Sequence, residues 1–335
     1  MDKTHQIFIV GSSRSGTTMM SRVLNNNKLV FSFKELHFFS QLYSNRNHDI
    51  LEYGASINIL SQLLSRQKDG IFRNCINDKL NILSATLLSK DLSYSYFAIF
   101  EIFLDYITKQ NHRIIACTQT PNNLFYIKEI LKEYPNSKVI NMVRDNRDVL
   151  LSQKNKWKRK FLGANKIPFF ESMRSFINYH PITTSFLWRS SLKVTNNFSH
   201  HKRFKVVKFE DFLTSPKSKC KEICDFLSIE FDDEMLLVPN IGSSTEHDRE
   251  QLLIDPTKIF KWKNGGLNQA EIFLTQIISI SFMNRYGYLK RNFIFPPVSI
   301  LFYFLTLPIK SFFALFLNLG RFSSMIDLIK IKNKK

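Results

Sequence analysis

Short apolar runs, rich in β-branched and aromatic residues, recur along this chain and are separated by longer stretches of helical spacing. The runs are residues 7–10, 113–117, 138–143 and 204–209. Their length and apolar character are typical of parallel strands that are buried on both faces. Strands that alternate with helices build a parallel sheet through right-handed crossovers. The pattern therefore predicts a three-layer α/β sandwich with a central parallel sheet and helices on both sides.

Two stretches between these runs show helical periodicity. Residues 122–134 place leucines and isoleucines on one face, and a Pro-Asn pair then marks the passage into the next strand. Residues 49–110 are mostly helical in spacing, with Phe97, Phe100 and Phe103 in one aromatic stripe. Such a stripe favours core packing over a ligand-binding surface.

The composition changes sharply after Tyr288. Residues 293–319 are rich in Phe and Leu, contain Pro308, and carry Lys310 as their one charge. A cation in the middle of a membrane-spanning helix costs about 2.5–3.5 kcal/mol, so we expect a shallow hairpin at a membrane surface. The four lysines among residues 330–335 would then meet anionic lipid headgroups.

Two alternatives for this apolar segment stay open, a true membrane span and a helix pair covered by protein or by another subunit. The composition change predicts two units along the chain. Residues 1–290 form the main domain, and residues 291–335 form an apolar, basic-ended appendage.

The charge balance favours anionic partners. The 335 residues include 47 Lys and Arg against 28 Asp and Glu, which gives a formal net charge of +19. Nucleotides, sulfated or phosphorylated sugars, nucleic acid and anionic lipid all fit this charge. The sequence shows no zinc-finger spacing, basic heptad region or RNA-binding aromatic motif, so we do not expect nucleic acid as a partner.

The cysteines favour buried thiols over a metal site. Cys75, Cys117, Cys220 and Cys224 contain no C-x-x-C pair, and only the last two share a predicted helix. The first strand begins within a few residues of Met1, which leaves no room for a signal peptide. We therefore expect a cytoplasmic protein, peripheral on the inner face of a membrane if the apolar segment binds lipid.

The first apolar run breaks into a small loop that suits a phosphate. Run and loop read IFIVGSSRSGTT, residues 7–18, in which Gly11 and Gly16 bracket Arg14. Glycine permits unusual backbone angles, and the residues from Thr17 onward can open a helix. Free N–H groups at the helix start, its dipole and nearby hydroxyls would converge on one small volume. An ordinary turn after a strand is the alternative.

The spacing of this loop fits that of the nucleotide-binding P-loop, G-x-x-x-x-G-K-[ST], with one exception. Thr17 stands where the P-loop lysine reaches the β- and γ-phosphates of a nucleoside triphosphate. An ordinary NTPase is therefore disfavoured, although Arg14 supplies a cation from another direction. A P-loop kinase for a small molecule and a non-catalytic basic module that binds membranes or nucleic acid both stay open.

A second candidate anion site follows the third apolar run. Residues 138–153 read KVINMVRDNRDVLLSQ, a strand that ends at Arg144 and continues into a helix beginning near Asp145. An arginine at a strand end can hold a phosphate with two hydrogen bonds, and Ser152, about two helical turns on, can add a hydroxyl. The alternative is a solvated, charged helix start in which no residue binds a ligand.

The two segments together resemble a known family. R-S-G-T-T after the first strand, followed much later by V-R-D-x-R-D-V-x-x-S, is similar to the sulfotransferases that use 3′-phosphoadenosine 5′-phosphosulfate (PAPS). The resemblance continues through FKVVKFEDFL, residues 204–213, and covers roughly residues 7–288. It implies a P-loop-like fold with helical insertions that shape the acceptor cleft.

The resemblance also implies the roles of particular residues. Arg144 and Ser152 would hold the 3′-phosphate of PAPS, and no metal is required. The residues expected to hold the 5′-phosphosulfate are Arg14, Ser15, Gly16, Thr17 and Thr18. Arg14 would also offset the negative charge that develops on the bridging oxygen. The product would be adenosine 3′,5′-bisphosphate.

A third motif, KELHFF at residues 34–39, resembles the segment that carries the catalytic glutamate of glycan and tyrosylprotein sulfotransferases. Glu35 is the matching position, and a carboxylate can remove the proton of an attacking hydroxyl. His37 would orient Glu35 or the acceptor. The alternative is that both residues lie on a surface loop and have no catalytic role. The resemblance implies a hydroxyl acceptor on a glycan, a glycolipid or another extended molecule.

The chain departs from the family pattern at one position near the acceptor. Gln119 in the sequence TQTP stands where related enzymes often carry lysine, so one expected cation is missing. Lys258, Lys261 and Lys263 lie where relatives have a basic loop over the cofactor, although a solvated loop would look the same.

Overall fold

The computed structural model describes residues 6–43, 50–72, 76–162, 167–238, 254–292 and 295–318. Five parallel strands form one sheet in the order β2-β3-β1-β4-β5. The strands are β1 (Gln6–Gly11), β2 (Val30–Ser32), β3 (Ile115–Gln119), β4 (Ser137–Val143) and β5 (Phe204–Lys208). The predicted parallel α/β fold is therefore confirmed.

Four of these strands coincide with the apolar runs of the sequence, and β2 is the addition. It has three residues, too few to show a period, and it forms because Val30 to Ser32 pair in parallel with the start of β3. Its end is the point from which the KELHFF segment leaves the sheet.

Helices separate and follow the strands. Those up to the fourth strand are α1 (Thr17–Asn25), α2 (Tyr53–Asp69), α3 (Asp78–Leu87), α4 (Tyr96–Gln110) and α5 (Ile127–Glu133). The later ones are α6 (Asn146–Lys154), α7 (Phe169–Ile177), α8 (Pro181–Phe198), α9 (Phe209–Thr214), α10 (Pro216–Leu227), α11 (Gln269–Arg285) and α12 (Pro297–Leu317). A basic 3-10 segment, Lys156–Leu162, follows α6 and is called the basic turn below.

Two hydrophobic layers flank the sheet because successive strand residues point to opposite faces. Phe8 and Val10 of β1 pack into one core with α2, α4 and α5, while Ile7 and Ile9 pack into the other with α1 and α10. The aromatic stripe of α4 lies in the first core, where Phe100 stacks on Phe38 with ring centroids 4.2 Å apart. The predicted packing role of that stripe is confirmed.

The C-terminal segment forms one continuous helix, so the predicted hairpin is wrong. Helix α12 passes through Pro308 without reversing, because the body of the protein holds it on both sides of that residue. Before the proline, Ile300 is buried against Ala270 and Leu274 of α11. After it, the Lys310 ammonium donates to the backbone carbonyl of Tyr179 at 3.0 Å. By length and apolar composition, Pro297–Leu317 is a helix that could cross a membrane.

The cysteines in the described part of the chain are buried thiols, as expected. Cys117, Cys220 and Cys224 are free and buried, and burial raises the pKa of the Cys117 thiol to about 12. Cys75 lies outside the described residues. Within those residues, no group of three or more His, Cys, Asp or Glu side chains could hold a metal ion.

Candidate active site

The strand order places the candidate site at one edge of the sheet. The chain moves from β1 to β2 and β3 on one side, and then crosses to β4 and β5 on the other. Ligands of such sheets bind at the carboxyl ends of the strands, where this change of direction opens a crevice. The loop after β1 and the start of α6 after β4 border that crevice.

Glycine is required at both ends of the loop after β1. A Cβ on Gly11, at φ 148°, would lie 2.4 Å from the Met142 carbonyl oxygen. A Cβ on Gly16, at φ 96°, would lie 2.4 Å from the Phe209 ring. Between them, Arg14 adopts a left-handed conformation with φ 74°, a strain that clusters at functional sites. The loop is thus held tightly against β4 and against the residue that follows β5.

The loop leads into a helix start that is open to an anion. Helix α1 has Gly16 as its N-cap, and no side chain caps it. Ser15 Oγ is buried and has no hydrogen-bond partner in the described part of the protein. Thr17 is buried beside it, and Thr18 is partly exposed. Backbone N–H groups of the first turn, the helix dipole and a buried hydroxyl therefore all favour negative charge at this point.

Arg144 is the cation that the second segment contributes. Its guanidinium lies over the Phe209 ring at 4.3 Å and donates to the Lys258 carbonyl at 2.9 Å. It also forms an ion pair with Asp148 at 3.6 Å. Its Nε is buried and has no partner among the described residues. Phe209, which the sequence reasoning missed, is therefore a shared support under Gly16 and Arg144.

The alternative of a solvated, charged helix start is wrong. Asp145, Arg147 and Asp148 are each at most 2% exposed. Arg147 donates twice to Asp145 and stacks on Trp262, and Glu210 accepts a hydrogen bond from the Asp145 backbone N–H. These buried charges are paired with other groups of the protein. Their pairing positions Arg144 and the start of α6.

A direct hydrogen bond joins the two predicted anion sites. Arg14 Nε donates to Ser152 Oγ at 2.8 Å, across 138 residues of sequence. Arg144 Nη1 donates to the Arg14 carbonyl at 3.4 Å. The loop after β1 and the helix after β4 therefore form one continuous site.

Glu35 and His37 lie just beyond β2 and contact each other. His37 Nε2 is 3.3 Å from Glu35 Oε1, and its Nδ1 is 3.3 Å from Ser40 Oγ. His37 is in the left-handed region at φ 52°, which turns the chain sharply here. The Glu35 side chain is 42% exposed, so solvent and an acceptor can reach it.

The surroundings keep Glu35 ionised. Burial by itself would raise its pKa, but the hydrogen bond from His37 and the positive charges of His37, Lys156 and Arg159 outweigh burial and lower it. Burial and the charges of Arg159 and Arg144 lower the pKa of Arg14 to about 10, and the charge of Glu35 acts in the opposite direction. The base candidate and the phosphate loop therefore share one electrostatic environment.

Two further cations of this site, Lys156 and Arg159, belong to the basic turn and were missed by the sequence reasoning. Burial and then the charge of Arg14 lower the pKa of Lys156, and burial lowers that of Arg159. Arg159 Nε is buried without a partner in the part of the chain described. The available signal was the run KNKWKRK, which begins two residues after Ser152. If Ser152 lies beside the loop, this run must lie close to the loop as well.

The positions that depart from the family pattern lie at the same edge. Gln119 ends β3 opposite Ile9, and its buried Oε1 has no partner among the described residues. Lys258 contributes its carbonyl to Arg144, while its ammonium lies 3.5 Å from Asp255. Lys263 stacks over the Phe260 ring at 4.7 Å. Burial and the charge of Lys258 lower the pKa of Lys261.

A parallel sheet with a glycine-bracketed loop, an uncapped helix and converging cations at its switch point defines a P-loop-like α/β protein with an anion site. A family model described as the Sulfotransferase family matches residues 6–233, more than half of the chain. The chain belongs to this family. It is a sulfotransferase, which sets aside the kinase and the non-catalytic alternatives.

Solved structures show the same fold. The sulfotransferase domain from the curacin biosynthetic pathway superposes with a TM-score of 0.53 at 19% identity, covering 85% of this chain and 98% of that domain. The sulfotransferase domain of the Synechococcus PCC 7002 olefin synthase gives 0.52 at 18% identity, covering 88% and 98%. No curated protein sequence matches the chain.

Proposed function

We propose that this enzyme transfers the sulfuryl group of PAPS to a hydroxyl of a glycan, a glycolipid or another extended acceptor, with Glu35 as general base. The observation that carries this proposal is the hydrogen bond from Arg14 to Ser152. It joins the two segments expected to hold the two phosphate-bearing ends of PAPS, and Glu35 lies within the electrostatic reach of Arg14.

The residues present fit an anionic nucleotide. Ser15 Oγ, Arg144 Nε and Arg159 Nε are buried polar atoms without partners in the described structure, and such atoms usually have one. Arg14, Arg144, Lys156 and Arg159 also bring like charges together, which a bound anion would relieve.

In this proposal residues 14–18 hold the 5′-phosphosulfate, and Arg144 with Ser152 holds the 3′-phosphate. When bound, PAPS supplies an activated sulfuryl group and a phosphate leaving group.

Glu35 has the position and the charge state of a proton acceptor. Its carboxylate is ionised, half-exposed to the cleft and held at one oxygen by His37, which leaves the other oxygen for an acceptor hydroxyl. The lowered pKa makes it a weaker base in the free enzyme. Neutralisation of Lys156 and Arg159 by an anion would raise that pKa toward the operating pH, where general bases work best.

We infer that Lys156 and Arg159 replace the cation missing at Gln119. Both act electrostatically on Glu35, and Lys156 also acts on Arg14. Positive charge placed where negative charge develops stabilises a transition state. A cytoplasmic enzyme, peripheral to a membrane, is part of the same proposal, supported by the free, buried thiols and the apolar α12.

The test replaces Glu35 by Gln and offers sulfur-labelled PAPS and γ-phosphate-labelled Mg-ATP in parallel to the same pool of glycans and glycolipids. We expect the wild type to transfer only the sulfuryl label. Glu35→Gln should lower that rate by about 100- to 10,000-fold and leave the affinity for adenosine 3′,5′-bisphosphate within about twofold.

Glu101→Gln, an exposed change on α4, is the matched control and should transfer at the wild-type rate. An undiminished rate for Glu35→Gln would remove Glu35 as the base, and transfer of the phosphate label instead would refute the proposal as a whole.

A further inference from the structure

Exposed apolar side chains cover the outer faces of α7 and α12. Phe169, Met173 and Phe176 of α7 are between 36% and 64% exposed, and they recur at the spacing of one helical face. Leu305, Phe312 and Phe316 represent the outer side of α12, at 63–66% exposed. The two helices pack against each other, and their exposed apolar side chains are together called the apolar face below. Patches of this kind mark protein or membrane contacts.

Two polar residues of α12, Tyr303 and Lys310, and Asn318 just after it bond to the body of the protein. Tyr303 Oη accepts from the Asn268 side chain at 2.9 Å, and its carbonyl lies 3.1 Å from His180 Nε2. Lys310 donates to the Tyr179 carbonyl, and Asn318 donates to the Asn178 side chain at 3.1 Å. A helix that left the body to cross a bilayer would break these bonds in a solvent that cannot replace them. The arrangement fits a helix that lies in an interface with its apolar side down.

The charge of the C-terminal part of the sequence fits an anionic surface. From residue 272 to the C-terminus the sequence carries nine Lys and Arg but a single acidic residue, Asp327. Lys290 and Arg291 are exposed in the segment between α11 and α12. Each cation near an anionic leaflet contributes about 1 kcal/mol to binding. A second copy of this chain would bring the same positive charge and would be repelled, so a lipid surface is the better complement.

A series of contacts connects the apolar face to the candidate active site. Lys156 of the basic turn acts on Glu35 from one side. Its neighbour Trp157 meets the Phe176 ring at 5.7 Å, and the Lys310 ammonium lies 5.4 Å from the same ring. The contacts thus run from Glu35 through the basic turn and α7 to α12. A surface that meets the apolar face would lie next to the opening at which Glu35 is exposed.

We propose that the apolar face lies on the surface of an anionic lipid bilayer, and that the bilayer presents the acceptor hydroxyl to Glu35. The acceptor is then a lipid-borne molecule whose headgroup carries the hydroxyl. This acceptor class rests on the proposed function, whereas the docking itself does not.

Vesicle flotation of the full chain tests the docking. We expect binding to vesicles of phosphatidylcholine mixed with phosphatidylglycerol, and weaker binding to phosphatidylcholine alone. Phe169→Glu and Phe312→Glu should each weaken binding by about tenfold or more, since each removes an aromatic ring from the interface and adds an anion. Ile82→Glu, at a position 66% exposed on α3, is the matched control and should bind as the wild type does.

Quenching of Trp157 by phosphatidylcholine with brominated acyl chains tests whether the cleft side reaches the bilayer. The other tryptophans, Trp188 and Trp262, are buried at 0% and 3% exposure. We expect the bound wild type to be quenched, and Trp157→Phe to bind equally but lose the quenching. Vesicle binding without quenching of Trp157 would overturn the presentation of the acceptor.

Two other occupants of the apolar face have distinct outcomes. Retention in the bilayer after alkaline carbonate extraction would show a span, and a dimer that Phe312→Glu dissociates, with no vesicle binding, would show a second copy. Either result overturns the proposal. Thermal protection by adenosine 3′,5′-bisphosphate is measured in parallel, so loss of that protection with vesicle binding intact would refute the proposed function but not the docking.

Discussion

Gly16 is the residue at which the phosphate loop meets the support under Arg144. Gly16→Ala would press a methyl group into the Phe209 ring and strain a backbone at φ 96°. We expect the affinity for adenosine 3′,5′-bisphosphate to fall by at least about tenfold, because both anion sites depend on that ring. Gly70→Ala is the matched control, since its φ of 81° is also positive but nothing lies within 4 Å.

The control should cost stability only, about 1–2 kcal/mol for the left-handed backbone, with unchanged bisphosphate affinity. Calorimetric titration and denaturant unfolding of the two variants separate these effects. Equal affinities for Gly16→Ala and Gly70→Ala would show that the loop does not need close contact with Phe209.

His37 sets the pH at which Glu35 can act. The pKa of Glu35 is lowered below that of a free glutamate, so its carboxylate is lost only when the pH falls through this lower value. His37→Asn removes a hydrogen bond and a charge that lower the pKa, and asparagine tolerates the left-handed backbone. The acid limb of kcat/KM should therefore move to higher pH.

His112→Asn is the matched control, because His112 is an exposed histidine with the same left-handed conformation at φ 54°. Its pH profile should overlay that of the wild type. An unmoved acid limb in His37→Asn would mean that Glu35 does not limit the rate at low pH.

At this scale the sequence reveals residues whose chemistry lies in a local motif. Arg14, Ser152 and Arg144 stand in recognisable patterns, and the structure brings them together. Lys156 and Phe209 take part through contacts between distant segments, and neither stands in a motif that by itself marks a site residue. The run KNKWKRK around Lys156 points to the site only because it lies near Ser152 in the sequence. A lysine run has the same sequence pattern in a binding site as on an exposed surface. A phenylalanine at a strand end likewise has the same pattern in a binding site as in a hydrophobic core.

Helix α6 is locked to its neighbours by Arg147. Its guanidinium bonds Asp145 on the same segment, and Gln276 of α11 accepts a further hydrogen bond at 3.0 Å. Arg147→Met keeps much of the volume but leaves the Asp145 carboxylate buried without its cation. We expect a loss of about 3–5 kcal/mol in the free energy of unfolding, measured with denaturant.

Lys109→Met is the control, because Lys109 and Asp105 form an exposed ion pair at 2.6 Å whose loss should cost about 0.5 kcal/mol or less. A similar small cost for Arg147→Met would contradict a structural role for the buried pair.

Elements with a continuous apolar pattern are predicted well from the sequence. Short elements, and elements whose course depends on contacts with the rest of the protein, are not. The four long strands follow from their apolar runs, whereas β2 forms only because β3 offers it a pairing edge. Residues 293–319 were predicted to form a hairpin, but α12 continues through Pro308 because Ile300 and Lys310 contact the body on either side of it. Contacts with other elements decide both cases.

The molecule consists of a body that contains the family match and a C-terminal segment whose exposed side chains are mostly apolar. The match ends at residue 233, yet α11 beyond it is bonded to α6 through Arg147 and through the Lys154–Glu271 ion pair at 2.8 Å. Helix α11 is thus part of the body. The division at residues 290 and 291 stays a prediction, and the apolar face gives the second unit a reason to differ in composition.

The measurement that tests the central claim most directly is a calorimetric titration of the full chain with adenosine 3′,5′-bisphosphate, adenosine 5′-monophosphate and Mg-ATP. The account predicts that the bisphosphate binds at least about tenfold more tightly than either of the others, because Arg144 and Ser152 add a second phosphate contact. Ser152→Ala should reduce that preference. Equal affinity for the bisphosphate and the monophosphate, or tighter binding of Mg-ATP, would contradict it.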